Sequence, residues 1–99
     1  MYPTYWVLYV SDLEESYRFY SSLGLNLVPE KHGLGPKHYS LTMGDLIFEI
    51  YPAGEKKISH FRVGLVCDEN EWDALDIIGN AKKRVIVDPD GNILELRCK

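Results

Sequence analysis

The chain carries one short passage twice. Val10-Ser11-Asp12 and Val66-Cys67-Asp68 each close an apolar run, and Glu15 and Glu71 follow at the same distance. A second echo lies near the end of each half, where Gly44-Asp45-Leu46-Ile47-Phe48-Glu49 matches Gly91-Asn92-Ile93-Leu94-Glu95. Self-similarity of this kind marks a supersecondary unit that buries its apolar face against a copy of itself. Asp12 to Asp68 spans 56 positions, whereas Glu49 to Glu95 spans 46. The second copy is therefore shorter by about one strand with its turn. The repeat predicts a single domain over 1–99, made of modules 1–52 and 60–99.

Local chemistry assigns the elements. Residues 4–10 are β-branched and aromatic, which suits a buried strand. Asp12 offers its carboxylate to the free amides of a helix start, with Glu15 three residues on as in a capping box. Leu13, Tyr17 and Tyr20 recur at helical spacing, and Gly24 suits the left-handed end of that helix. Pro29 marks residues 25–30 as an edge strand. Gly44-Asp45 joins strands 38–43 and 46–51 in a tight hairpin. Residues 61–67 repeat the first strand. Trp72, Leu75 and Ile78 then carry a second helix ended by Gly79. Residues 84–87 and 93–98 flank the turn Asp88-Pro89-Asp90-Gly91-Asn92. The order is β-α-β-β-β followed by β-α-β-β, an α+β fold.

Composition excludes several classes. With 45% apolar and 26% charged residues the chain reads as a soluble globular domain. No apolar run nears the roughly 20 residues of a membrane span. A net charge of −4, with basic residues clustered only at Lys56-Lys57 and Lys82-Lys83-Arg84, argues against nucleic acid. The first residues show no signal-peptide pattern, and Cys67 and Cys98 lack metal-type spacing. A cytoplasmic location with buried free thiols is expected.

Side chains alternate along strands, so parity assigns faces. Leu94, Leu96 and Cys98 form an apolar set for packing on a helix, which turns Glu95 the other way. Across the hairpin, Met43 should oppose Leu46 and Ser40 should oppose Glu49. His38 then opposes Tyr51, diagonal to Glu49. With helices covering one face, Tyr5, His38, Ser40, Glu49, Phe61 and Glu95 are expected to line the other, with Tyr9 and Tyr51 adding aromatic walls.

These motifs together resemble the vicinal oxygen chelate superfamily, which includes glyoxalase I, extradiol dioxygenases and bleomycin-resistance proteins. The matching residues are Val10-Ser11-Asp12-Leu13-Glu14-Glu15-Ser16 running into Phe19-Tyr20 and Leu23-Gly24. Gly44-Asp45 through Glu49 and Asp88 through Leu96 complete the match. The resemblance covers nearly the whole chain. It implies paired βαβββ modules, the second shortened by about one strand, forming a curved sheet around a cleft.

In the metalloenzymes of that superfamily, His or Gln and Glu side chains from both modules hold a divalent ion that acts as a Lewis acid. Glu49 and Glu95 fall on the carboxylate positions, and they are the candidate catalytic residues. The other two positions fall on Tyr5 and Phe61. A phenylalanine cannot bind a metal, and a tyrosinate is costly with a reference pKa near 10. Two carboxylates alone hold zinc or iron poorly. His38, placed beside Glu49, is the best substitute, giving Glu49, Glu95 and His38 as candidate metal ligands. His60 would need a bulge to turn inward, and His32 is expected in a solvated loop.

Two readings follow. The first is a binding protein that takes up a small aromatic or cationic molecule through Tyr5, Tyr9, His38, Ser40, Tyr51 and Phe61, without a cofactor. The second is a lyase, isomerase or dioxygenase dependent on one divalent metal ion. The loss of two expected ligands favours the first. The shortened second copy exposes a sheet edge, which a homodimer would cover.

Overall fold

Leu8 and Val10, two residues apart on the first strand, are both wholly buried, and the rest of the core builds outward from them. The computed structural model describes residues 1–75 and 81–99. Nine elements follow in chain order: β1 (Tyr5–Val10), α1 (Leu13–Ser22), β2 (Val28–Glu30), β3 (His38–Met43), β4 (Leu46–Pro52), β5 (Arg62–Cys67), α2 (Glu69–Ala74), β6 (Lys83–Val87) and β7 (Ile93–Cys98). The expected Ile78 and Gly79 at the end of the second helix lie outside the described residues.

The repeat is real in three dimensions. Module one forms a four-stranded sheet in the order β1-β4-β3-β2, and module two a three-stranded sheet in the order β5-β7-β6. In each, the first strand pairs parallel with the last strand of its module, β1 with β4 and β5 with β7. Among the described residues, module two has no counterpart of the strand that β2 supplies in module one. The α+β class and the paired modules are as expected, with the strands divided between two sheets.

The helix starts repeat as well. Asp12 accepts from the Glu15 amide, and Asp68 accepts from that of Glu71, whose own carboxylate closes a full capping box on the Asp68 amide. At the hairpin, Gly44 adopts φ 61°, a left-handed conformation that a glycine enters without steric cost. Its register is the expected one, with Met43 opposite Leu46 and Ser40 opposite Glu49.

Leu8, Val10, Tyr20, Phe48, Ile50, Leu94 and Leu96 make one buried cluster spanning both modules. Complete burial of such side chains contributes about 1.5–3 kcal/mol each. A polar knot pins the modules together beside it. Tyr20 on α1 donates to Asp88 Oδ2 at 2.6 Å, and Asp88 also accepts from the Asn92 and Asp90 amides and from Asn92 Nδ2. Asn92 Oδ1 accepts in turn from the Phe61 amide at 2.8 Å. Every member of this buried group has a partner, as a stable polar cluster requires.

Candidate functional site

Core residues occupy one parity of each strand, so the other parity forms an open face. On module one that face carries Tyr5, Val7 and Tyr9 of β1, Glu49 and Tyr51 of β4, His38 and Ser40 of β3, and Glu30 of β2. On module two it carries Arg62, Gly64 and Val66, then Glu95 and Arg97, then Lys83, Val85 and Val87.

A cavity of about 690 Å³ opens on module one, lined among others by Val7, Tyr9, Glu49, Tyr51 and Lys56. The rings of Tyr9 and Tyr51 stand 6.1 Å apart. Lys56 lies over the Tyr9 ring with Nζ 4.7 Å from its centre, so this aromatic face already attracts a cation. Behind Tyr51, the His38 ring stacks at 4.2 Å and 7°. Burial, followed by the nearby carboxylates of Glu49 and Glu30, holds the Tyr51 phenol above its ordinary pKa. The Glu49 carboxylate is 15% exposed and, among the described residues, meets no lysine or arginine; His38 Nε2 lies 3.5 Å from it.

Glu95 has a different environment. It lines a separate cavity of about 420 Å³ with Gly64, Leu65, Val66, Lys83 and Arg97, and the two cavities share no residue. Arg62 donates to its Oε1 through Nη2, and Lys83 Nζ lies 3.7 Å from the same oxygen. The hydrogen bond and charge of Arg62, then the charge of Lys83, hold the Glu95 carboxyl below the usual range.

Two expectations are corrected here. Glu49 and Glu95 do not share one groove within a chain. Phe61 does not line an open face, because its ring meets Trp6 edge-on at 5.3 Å and packs on the core. The cause is a one-residue slip between the two halves of the repeat. Val7 pairs with Glu49, and Gly64 pairs with Glu95, so the strands correspond at a spacing of 57 rather than the 56 of the helix caps. A slip of one reverses every side chain. Arg62 therefore stands where Tyr5 stands in module one.

Of the other candidates, Tyr5 is 62% exposed, Ser40 is half-buried opposite Glu49, and His60 is exposed. The positions that the superfamily resemblance assigns to a divalent ion thus hold an exposed tyrosine, a core phenylalanine and a carboxylate neutralised by Arg62 and Lys83. That donor set does not fit a metal, and Glu49, Glu95 and His38 are not gathered by one chain. Sequence reasoning missed Arg62, although its alternation with Val63 and Leu65 signalled the open face. It also missed Glu30 and Lys56.

No protein-family model matches the chain, and no curated protein sequence does. Solved structures do, over nearly the whole length. An antibiotic-binding protein, TnmS3 from Streptomyces sp. CB03234, aligns with TM-score 0.68 at 18% identity, covering 99% of this chain and 95% of that one. A bleomycin-binding protein, solved with bleomycin, aligns with TM-score 0.60 at 20% identity, covering 100% and 98%. Lactoylglutathione lyase from Agrobacterium tumefaciens aligns with TM-score 0.63 at 16% identity, covering 98% and 92%. The fold is that of the glyoxalase and bleomycin-resistance proteins.

Proposed function

We propose that this chain is a small-molecule binding protein whose module-one cavity takes up a planar aromatic or cationic molecule without altering it. The observation that carries the reading is the sheltered Glu49 carboxylate, free of lysine and arginine among the described residues, beside the Tyr9 and Tyr51 rings. A cation entering there gains a carboxylate of the opposite sign and two aromatic faces. Exclusion of apolar surface from water supplies the rest. Two of the similar folds bind an antibiotic and bleomycin respectively by their descriptions, which agrees with this use of the scaffold. The half-buried free thiols Cys67 and Cys98 support a reducing, cytoplasmic setting.

A homodimer is part of the proposal. The open face of module one is acidic, with Glu30 and Glu49, while that of module two carries Arg62, Lys83 and Arg97 around Glu95. Two copies related by a twofold axis, with module one of each against module two of the other, would set these faces against each other and bring Glu95 of one chain to the cavity of the other. The alternative, a metal-dependent lyase, isomerase or dioxygenase working through Glu49 and Glu95 together, has no support from the surroundings of Glu95, which Arg62 and Lys83 occupy.

Acridine orange, a planar aromatic cation, tests the binding reading by fluorescence titration. Saturable binding that Glu49→Gln weakens by about tenfold, near 1.4 kcal/mol, supports it. No saturable binding, or binding indifferent to both Glu49→Gln and Tyr51→Ala, overturns it.

A further inference from the structure

His38 is 1% exposed, yet its Nε2 has no hydrogen-bond partner among the described residues. The other ring nitrogen, Nδ1, lies 3.2 Å from the Pro36 carbonyl oxygen. A carbonyl can only accept, so Nδ1 carries the proton in the neutral ring and Nε2 presents a bare lone pair. That lone pair faces two carboxylate oxygens, Glu30 Oε2 and Glu49 Oε2, each at 3.5 Å. Three acceptors converge there; Glu30 Oε2 is reached from outside by His32 Nε2 at 3.1 Å, whereas His38 Nε2 meets no donor among the described residues. With the imidazole buried and the Glu49 and Glu30 side chains only 15% and 36% exposed, this arrangement is repulsive unless a cation lies at its centre.

We propose that Glu30, His32 and His38 form a binding site for one divalent transition-metal ion of the zinc type, with Glu49 at its margin. β2 and β3 pair with Glu30 directly opposite His38, which sets both side chains on the open face. His32 comes from the connection between these strands, its Nε2 3.1 Å from Glu30 Oε2. One ligand atom from each of the three lies within 4.8 Å of the others. The Tyr51 stack and the Pro36 carbonyl fix the His38 ring, the outer support that metal-binding imidazoles ordinarily have.

The rival occupant is a proton, and the distances separate the two. A charged N–H to carboxylate bond closes to about 2.7–2.9 Å. Ligands on a tetrahedral zinc with bonds of about 2.0–2.1 Å stand roughly 3.3 Å apart. The 3.5 Å separations around His38 are longer than such a charged hydrogen bond, and the three ligand atoms, spread over as much as 4.8 Å, would draw together on an ion. Two imidazoles with a carboxylate favour zinc or cobalt over magnesium or calcium, which prefer all-oxygen shells. The site uses neither Tyr5 nor Glu95; it borders the neighbouring cavity through Glu49 and takes its three ligands from residues outside that cavity's lining.

Chelator-treated protein titrated with cobalt(II) chloride, followed by its visible d–d absorption, tests the assignment. The expected result is a one-to-one endpoint, displacement of cobalt by zinc, and a zinc-dependent rise in melting temperature. His32→Gln and Glu30→Gln should each weaken cobalt binding by about tenfold or more without lowering the metal-free melting temperature, since the second relieves the repulsion around His38 Nε2. These two variants carry the test, since replacing buried His38 also removes its packing on Tyr51. Absence of a saturable spectrum overturns the site and leaves a proton between His38 and its carboxylates. Affinity unchanged in both variants overturns it equally, by placing the metal elsewhere.

Discussion

Arg62 and Glu95 lie on adjacent parallel strands, and the guanidinium of the first donates to Oε1 of the second. The contact gives the two related carboxylates of the repeat opposite surroundings. Glu95 is answered within its own chain by Arg62 and Lys83, whereas Glu49 faces a cavity and a histidine. One is a structural partner and the other is open to a guest.

The ion pair has a definite pH signature. Arg62, and to a lesser extent Lys83, lower the folded-state pKa of Glu95. Folding therefore favours the deprotonated carboxylate. Its contribution to stability is present above the unfolded pKa and is lost as pH falls through the depressed folded value. Carbon-detected NMR should show the Glu95 side chain titrating below an ordinary glutamate, and Arg62→Gln should move the midpoint upward. Equal midpoints in the two proteins would show that the pair does not form.

Tyr20 and Asp88 join helix α1 to the turn of the second module across 68 positions. Tyr20→Phe removes a hydrogen bond to a charged acceptor and should cost about 1.5–3 kcal/mol. The lower end applies, because Asp88 keeps three other donors. Urea denaturation checks this, and a change within about 0.5 kcal/mol, the usual range for surface substitutions, would contradict it.

Lys56 occupies the ring face of Tyr9 that a cationic guest would use. Exposed cation–π contacts are worth about 0.5–1 kcal/mol. Lys56→Gln should therefore tighten acridine orange binding about two- to fivefold. Weaker binding in this variant would mean that the lysine helps to hold the guest.

β6 ends its sheet among the described residues, and Val85 and Val87 on it are 52% and 58% exposed. If this edge lies in the proposed dimer, Val87→Lys should yield monomers in sedimentation equilibrium with little change in melting temperature. A wild-type chain that is monomeric at high micromolar concentration would contradict the dimer.

Much of the fold was legible because its signals are local. The two aspartate caps, the glycine after α1 and the two-residue hairpin each settle a boundary by short-range chemistry. The hairpin also placed His38 near Glu49, since a tight turn sets register. Long-range relations were less visible. Glu30 went unnoticed because the connection over 31–37 follows no turn rule that would pair β2 with β3. Phe61 was misplaced because the caps align the repeat one residue away from the strand pairing. Its own pattern held the remedy, as Phe61, Val63 and Leu65 form the apolar parity and Arg62 the polar one. The segment Asp88–Asn92 reads as a turn, and its buried bonds to Tyr20 and Phe61 depend on partners far away in sequence.

The module-one cavity is most directly tested by proton NMR of the tyrosine rings during titration with acridine orange. Stacking against Tyr9 and Tyr51 should shift their ring protons upfield together, and Glu49→Gln should suppress the shift at equal probe concentration. Shifts confined to the residues around Arg97 and Val66, or none at any tyrosine, would contradict a binding site at Glu49.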